Sequence, residues 1–217
     1  FPDASLASFF MVDAVPVFVE VEYLPTTCKK VITVQYTVNP NVSIANTVSN
    51  YNGFNLNCNA DNTGEIRIDV LTGTPVYAYR IDGGPFINAG VVTYDFKSLA
   101  AGSHTIEVQD ARGCIVSQTI DLIEPPALNT TLNIVQDITC FLGKDGEIGT
   151  VVSGGTGTYV SYLLLQTNNT DPNNDGIFEN LGAGTYNVRV TDPNNCRIDS
   201  NTVDLAQHTE DEIHKMI

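Results

Sequence analysis

The chain has no tryptophan, only three histidines and two methionines in 217 residues, and few cations: ten Lys and Arg stand against 25 Asp and Glu, a formal net charge of -15. The shortage of basic residues excludes partners that need them. Nucleic acid is not expected, because binding phosphates takes a cationic face. Docking on anionic lipid is not expected either. Long apolar runs are missing as well. Nothing approaches the roughly 18 consecutive apolar residues of a membrane helix, so no membrane insertion is expected in this segment. The opening stretch FPDASLASFFMVDAV has neither the basic start nor the apolar centre of an export leader, and Phe1 reads as an internal position of a longer secreted protein. The acidic balance reads first as a solvated, self-repelling exterior. Some of those carboxylates are also available to a hard cation.

What is present is a repeat. Cysteines stand at 28, 58, 114, 140 and 196, and the spacings 58 to 114 and 140 to 196 are both 56. Laid together at an offset of 82 without a gap, the two segments share fifteen identities in fifty-seven positions. Random matching gives about one in sixteen to twenty, so the segments are copies with a period near 80. The stretch LAAGSHTIEVQDARGC returns as LGAGTYNVRVTDPNNC. Cys28 stands where Cys114 stands, so its own partner is expected upstream of Phe1 and Cys28 itself unpaired in this fragment. The expected staples are Cys58–Cys114 and Cys140–Cys196, each closing a loop worth about 4 kcal/mol in the chain-entropy model. Such staples belong to an oxidising compartment. Zinc is not expected, because no two cysteines are close in sequence and His104, His208 and His214 do not cluster with them.

The secondary structure reads as strands. Tyr186, Val188 and Val190 alternate with Asn187, Arg189 and Thr191, as Ile106 and Val108 do with Thr105, Glu107 and Gln109. Period-2 alternation marks a strand with one buried face. GEIRIDVL, TPVYAYRI and GEIGTVVS are further strands between Gly, Asn and Asp clusters. The expected fold class is all-β, a tandem of immunoglobulin-like antiparallel β-sandwich repeats, each with one intradomain disulfide. Residues 1–43 form the C-terminal part of a preceding repeat, 44–125 and 126–207 are full repeats, and 208–217 are a tail without a counterpart. Proline-rich junctions near Pro40 and at Pro125–Pro126 favour semi-rigid, end-to-end stacking.

These residues carry a resemblance. Cys58-NADNTGEIRIDV, GTPVYAY, LAAGSHTIEVQDARGC and IDLIEPP resemble the SprB-type repeat, as do Cys140-FLGKDGEIGTVVSGGTGTY and LGAGTYNVRVTDPNNC. Asp61 departs from the family's early Gly, Gly157 from its Pro, and Asn195 from its Gly before the closing cysteine. These are turn positions, and Asn tolerates left-handed geometry. The resemblance implies long repetitive surface proteins of gliding Bacteroidota, exported by type 9 secretion and located extracellularly on the outer membrane. Adhesion is the implied role.

Candidate sites are few. Asp171, Asn173 and Asp175 follow D-x-N-x-D-G, the opening of a calcium loop, but Gly182 stands where the bidentate Glu belongs. A plain Asn/Asp turn is the competing reading. Asp110 and Asp192 read as turn-starting carboxylates. Tyr77, Tyr79, Tyr159 and Tyr162 read as core, with a glycan platform as the sharper alternative. The stretches 80–95 and 162–177 diverge most between copies and are the expected contact loops. No catalytic residues are expected, and no cofactor unless calcium binds. The function so read is a non-enzymatic stalk and weak multivalent adhesion segment. Its partners are neighbouring repeats and a surface polysaccharide or surface protein. A carbohydrate- or calcium-linked module accessory to an enzyme or receptor, and a fibre subunit, are the alternatives.

Overall fold

The computed structural model describes residues 41–171 and 173–207 in full, and 17–23 and 28–34 as backbone. β1 (Val17–Tyr23) and β2 (Cys28–Val34) form an antiparallel hairpin with Tyr23 opposite Cys28. The Cys28 side chain and the tail 208–217 lie outside the described residues.

The next seven strands are β3 (Ser43–Val48), β4 (Gly64–Thr72), β5 (Ala78–Ile81), β6 (Ile87–Asn88), β7 (Thr93–Leu99), β8 (Gly102–Gln109) and β9 (Ile115–Leu122). They make one sheet in the order β3-β4-β7 and a second in the order β6-β5-β8-β9, with every pairing antiparallel. Alternation puts Ile66 and Ile68 of β4 and Ile106 and Val108 of β8 wholly inside. They meet Leu56, Tyr79, Phe96 and Leu122 in one core. With no tryptophan, Tyr79 is the largest fully buried side chain. Burial pushes its phenol up to about 12, and its hydroxyl donates to the Val91 carbonyl at 2.6 Å. The outward residues pair across strands, Arg67 with Asp95 and Arg80 with Glu107, both at 2.7 Å.

The following nine strands repeat the plan. They are β10 (Asn129–Gln136), β11 (Gly146–Ser153), β12 (Ser161–Leu164), β13 (Asn169–Thr170), β14 (Ile177–Leu181), β15 (Gly184–Tyr186), β16 (Val188–Thr191), β17 (Arg197–Asp199) and β18 (Val203–Leu205). Sheets run β10-β11-β14 and β13-β12-β16-β17, and β15 pairs with β18 separately. The long strand seen as β8 is interrupted after Tyr186, and the one seen as β9 is interrupted at 200–202. Ser200 holds the break: its N–H donates to the Val188 carbonyl, and its Oγ accepts the Val188 N–H, both at 2.9 Å. A second core gathers Leu132, Ile138, Ile148, Leu164, Val188 and Val190.

Register shows where the copies agree. Ile66 faces Phe96 and Gly64 faces Leu99; at the matching positions of the second copy, Ile148 faces Phe178 and Gly146 faces Leu181. The gapless correspondence fails at β12 and β13, since β6 faces Ala78 and Tyr79 whereas β13 faces Leu163 and Leu164. Tyr79 faces Val108, whose counterpart is Val190, yet the residue facing Val190 is Tyr162 and not Ser161, the counterpart of Tyr79. The second copy has gained a position before β12 and loses it again before β14. The core therefore keeps its tyrosine although the alignment offers Ser161 there.

The cysteines require a correction. The expected bonds Cys58–Cys114 and Cys140–Cys196 do not form, and neither sandwich contains an intradomain disulfide. Instead Cys58 is bonded to Cys196, with Cα atoms 5.8 Å apart, and Cys114 and Cys140 are free and exposed. The reason is the direction of β8. Its start lies beside the Cys58 loop, where Leu99 faces Gly64 and Leu122 faces Gly102. Its far end leads to the Cys114 turn, where the Ala111 N–H meets the Thr74 carbonyl. An eight-residue strand is about 26 Å long. Cysteines at its two ends cannot reach the roughly 6 Å that a disulfide needs.

Candidate functional site

The best-built site is the joint between the two sandwiches. Two loops make it. The first runs from Tyr51 to Thr63 and carries Cys58. Asp61 organises it, its Oδ2 accepting the Cys58 N–H at 2.9 Å and its Oδ1 the Thr63 N–H at 3.1 Å. The second is the Asp192–Cys196 turn of the other sandwich. Asp192 is fully buried. Its Oδ1 accepts the N–H groups of Asn194 and Cys196, both at 2.9 Å, and its Oδ2 accepts Thr156 N–H at 3.3 Å. Asn195 sits at φ +63° in the bend, as Gly113 does at +84° in the matching turn. Left-handed geometry is what Asn and Gly supply there.

Across the joint, Asn194 and Asn57 bond reciprocally. Asn194 Nδ2 donates to the Asn57 carbonyl at 2.7 Å, and Asn57 Nδ2 donates to the Asn194 carbonyl at 3.1 Å. Asn52 Nδ2 reaches Asn194 Oδ1 at 2.5 Å. Beside them runs the Cys58–Cys196 bond. The connecting segment is fixed on both sides. Asn59 donates to the Pro125 carbonyl at 3.1 Å, the Ala60 N–H to Glu124 at 2.6 Å, and the Gly155 N–H to the Pro126 carbonyl at 2.9 Å. A Cβ at Gly154 would fall 1.9 Å from the Ala127 carbonyl oxygen, so glycine is what lets the connector lie down there. Sequence reading located the prolines but missed Asn57 and Asn194. No pattern marks them, since the corresponding residues of the other copies are Thr139 and Arg112.

The turn-starting role of the paired aspartates holds. Asp110 is buried, and its Oδ1 accepts the N–H groups of Arg112 and Cys114 at 2.9 Å while Oδ2 accepts Thr74 N–H at 3.1 Å. The Thr74 N–H lowers its pKa, burial opposes this, and the Cys114 and Arg112 N–H groups tip the balance to a carboxyl held below its ordinary value.

The stretch with Asp171, Asn173 and Asp175 forms a tight turn. Asp171 is buried, and both its oxygens face backbone: Oδ1 accepts Asn173 N–H at 2.9 Å and Oδ2 accepts Gly176 N–H at 2.7 Å. Asp175 Oδ1 accepts Ile177 N–H at 3.0 Å. Among the described residues no three His, Cys, Asp or Glu side chains gather as a metal-holding group. The tyrosines are core: Tyr77, Tyr79 and Tyr162 are buried and Tyr159 is partly so.

The two divergent loops present different chemistry. In the first sandwich Val76, Ile87, Val91 and Val92 are exposed, and Val76 lies against Gly90. In the second, a shallow polar hollow is lined by Asn168, Asn169, Thr170, Asn173, Asp175 and Asn180 among others.

Antiparallel two-sheet modules joined end to end define the class: a tandem immunoglobulin-like β-sandwich protein. More closely, the family model described as SprB repeat matches residues 54–86 and 132–169, one segment in each sandwich. Among solved structures it is similar to the three N-terminal domains of the outer capsid protein Hoc of bacteriophage RB49. The identity is 18% and the TM-score 0.42, over 76% of this chain and 58% of that one, so the chain spans little more than half of that structure. It is also similar to the amphioxus IgVJ-C2 molecule, at 11% identity and TM-score 0.33, over 69% of this chain and 98% of that one. The fibronectin(III)-like modules of Clostridium thermocellum CbhA match at 13% identity and TM-score 0.27, over 69% of this chain and 88% of that one. No curated protein matches the chain.

Proposed function

We propose that the chain is a non-enzymatic stalk segment of a large cell-surface adhesin, exported to the outer membrane surface and serving gliding cells. The observation that carries this reading is the covalent joint: Cys58–Cys196 and the Asn57–Asn194 pair tie two repeats end to end. A spacer that transmits force needs a joint that does not open under load. The SprB repeats support the surface location. The divergent loops support weak contacts that differ from module to module and sum by multivalency. Surface polysaccharide is the partner class this reading favours.

Pulling single molecules by their termini tests the stalk. The bridge shields 138 residues from extension, about 460–500 Å of chain. The oxidised chain is expected to withhold that length at forces that unfold the reduced chain. If both forms extend equally, the joint carries no load and the stalk reading fails. A glycan array probed with the whole chain, in calcium and then in chelator, tests the adhesive half. Binding to no surface polysaccharide in either condition would leave a spacer without adhesion.

A further inference from the structure

Along β14 the second sandwich lacks the partners that occupy the same edge of the first. In the first, Arg67 pairs with Asp95 at 2.7 Å, Lys97 with Glu65 at 3.5 Å, and Thr93 Oγ1 donates to Asp69 at 2.6 Å. The matching pairs of the second are Gly149 with Ile177, Glu147 with Glu179, and Val151 with Asp175. At neutral pH none of these joins opposite charges or a donor to an acceptor. The chain between β13 and β14 adds further unused groups. Its own bonds draw on the side chains of Asp171, Asn174 and Asp175. Among the described residues, the amides of Asn168, Asn169, Asn173 and Asn180 and the carboxylate of Glu179 make no hydrogen bond, and all five residues are exposed. They line the hollow between the two strands, whose volume is about 550 Å³, within the roughly 300–1,000 Å³ of small-ligand sites. β13 and β14 are the outer strands of their sheets, so the hollow lies on the flank of the module. The loops of the joint take no part in its lining, and end-to-end stacking leaves it uncovered.

No Lys, Arg or His lines the hollow. An anionic ligand would meet Asp175 and Glu179 without a counter-charge and is excluded. A free amide offers two donors and an acceptor, whereas a carboxylate only accepts. Uncharged groups that donate and accept at close spacing satisfy both, and these are hydroxyls. Ile177, 39% exposed, supplies an apolar surface for the C–H face of a sugar ring. We propose that the hollow binds a neutral polysaccharide, with Asn169 and Asn173 bonding ring hydroxyls and Glu179 accepting from another. Being shallow, it takes internal units of a chain and not a buried terminal sugar. The first sandwich, its edge already paired with itself, has no such site. This inference rests on the adhesive half of the proposed function and gives it a place and a ligand class.

The test runs the whole chain in native gels containing dextran, yeast mannan or β-1,3-glucan, and in gels containing alginate, a polyuronate. Retardation by a neutral polymer is expected, undiminished in chelator and absent with alginate. Asn169→Ala with Asn173→Ala is expected to weaken binding roughly ten-fold or more, with Tm unchanged. Glu179→Lys, which restores opposite Glu147 the cation that Lys97 supplies in the first sandwich, is expected to abolish it. Glycan binding that survives both variants would overturn the hollow as the site while the adhesive reading stands. No retardation by any polymer and no binding on the array would overturn both. Retardation lost in chelator would also overturn the proposal, since the carboxylates would then be holding a cation, and so would retardation by alginate alone.

Discussion

At the scale of single residues, the copies solve one problem with different chemistry. Tyr186 donates its hydroxyl to the Gly182 carbonyl at 2.9 Å, and His104, at the matching position of the first sandwich, places Nε2 3.0 Å from the Ala100 carbonyl. Histidine adds a charge. Its Nδ1 lies 2.7 Å from Asp82. Burial works to lower the His104 pKa, but the Asp82 carboxylate and the Ala100 carbonyl, both acceptors, outweigh it and the net shift is upward. A raised folded value gives stability that is full below the unfolded pKa of about 6.5 and is lost as pH rises through the folded value. Denaturation of the first sandwich between about pH 6 and 9 should show this loss. His104→Tyr should keep the carbonyl bond and flatten the profile; an unchanged slope would place the titration elsewhere. The joint offers a second residue-scale test. Asn194→Ala removes two hydrogen bonds, one to the half-buried Asn57 carbonyl and one from Asn52, each worth about 0.5–1.5 kcal/mol. The Cys58–Cys196 bond should become roughly ten-fold or more easier to reduce in a glutathione buffer, with both sandwiches still folded.

At the scale of elements, glycine at the start of β4 and β11 is a packing requirement. A Cβ on Gly64 would meet the Leu99 carbonyl at 2.7 Å and Leu122 Cδ1 at 2.8 Å, and one on Gly146 would meet Leu205 Cδ1 at 2.8 Å. Gly64→Ala should cost about 1–3 kcal/mol through overpacking, read as a lower urea midpoint for the first sandwich. Most of this level was legible in the sequence, because Ile66 and Ile68 of β4 and Ile106 and Val108 of β8 alternate with more exposed neighbours, and the Asp–Gly and Asp–Asn turns carry their own chemistry; Thr191 of β16, expected on the wet face, is buried. Two things were not. The slip of one position at β12 is invisible to an ungapped alignment, since only the cross-strand partner Val190 reveals that Tyr162 replaces Tyr79. The disulfide partner was misread because equal spacings describe the copies and not the distance between strand ends. Cys58 to Cys196 is also a repeat-consistent pair, one spacing plus one period, but only the run of β8 across the module selects it.

At the scale of the whole molecule, the bond closes a loop of 138 residues, worth about 5 kcal/mol in the chain-entropy model. Cys196→Ser should lower stability by up to that amount and leave the two sandwiches melting as separate transitions in calorimetry, where the oxidised chain melts as a coupled pair. A single coupled transition in the variant would mean that the noncovalent contacts suffice. The bond has one more consequence, for survival against proteolysis. The exposed loops around Val91 and Asn174 are where a protease would cut first. Both lie between Cys58 and Cys196. A nick in either one severs the polypeptide and leaves its two pieces held by sulfur, so the fragments part on a gel only after reduction, and a line of such modules outlasts its own broken backbone.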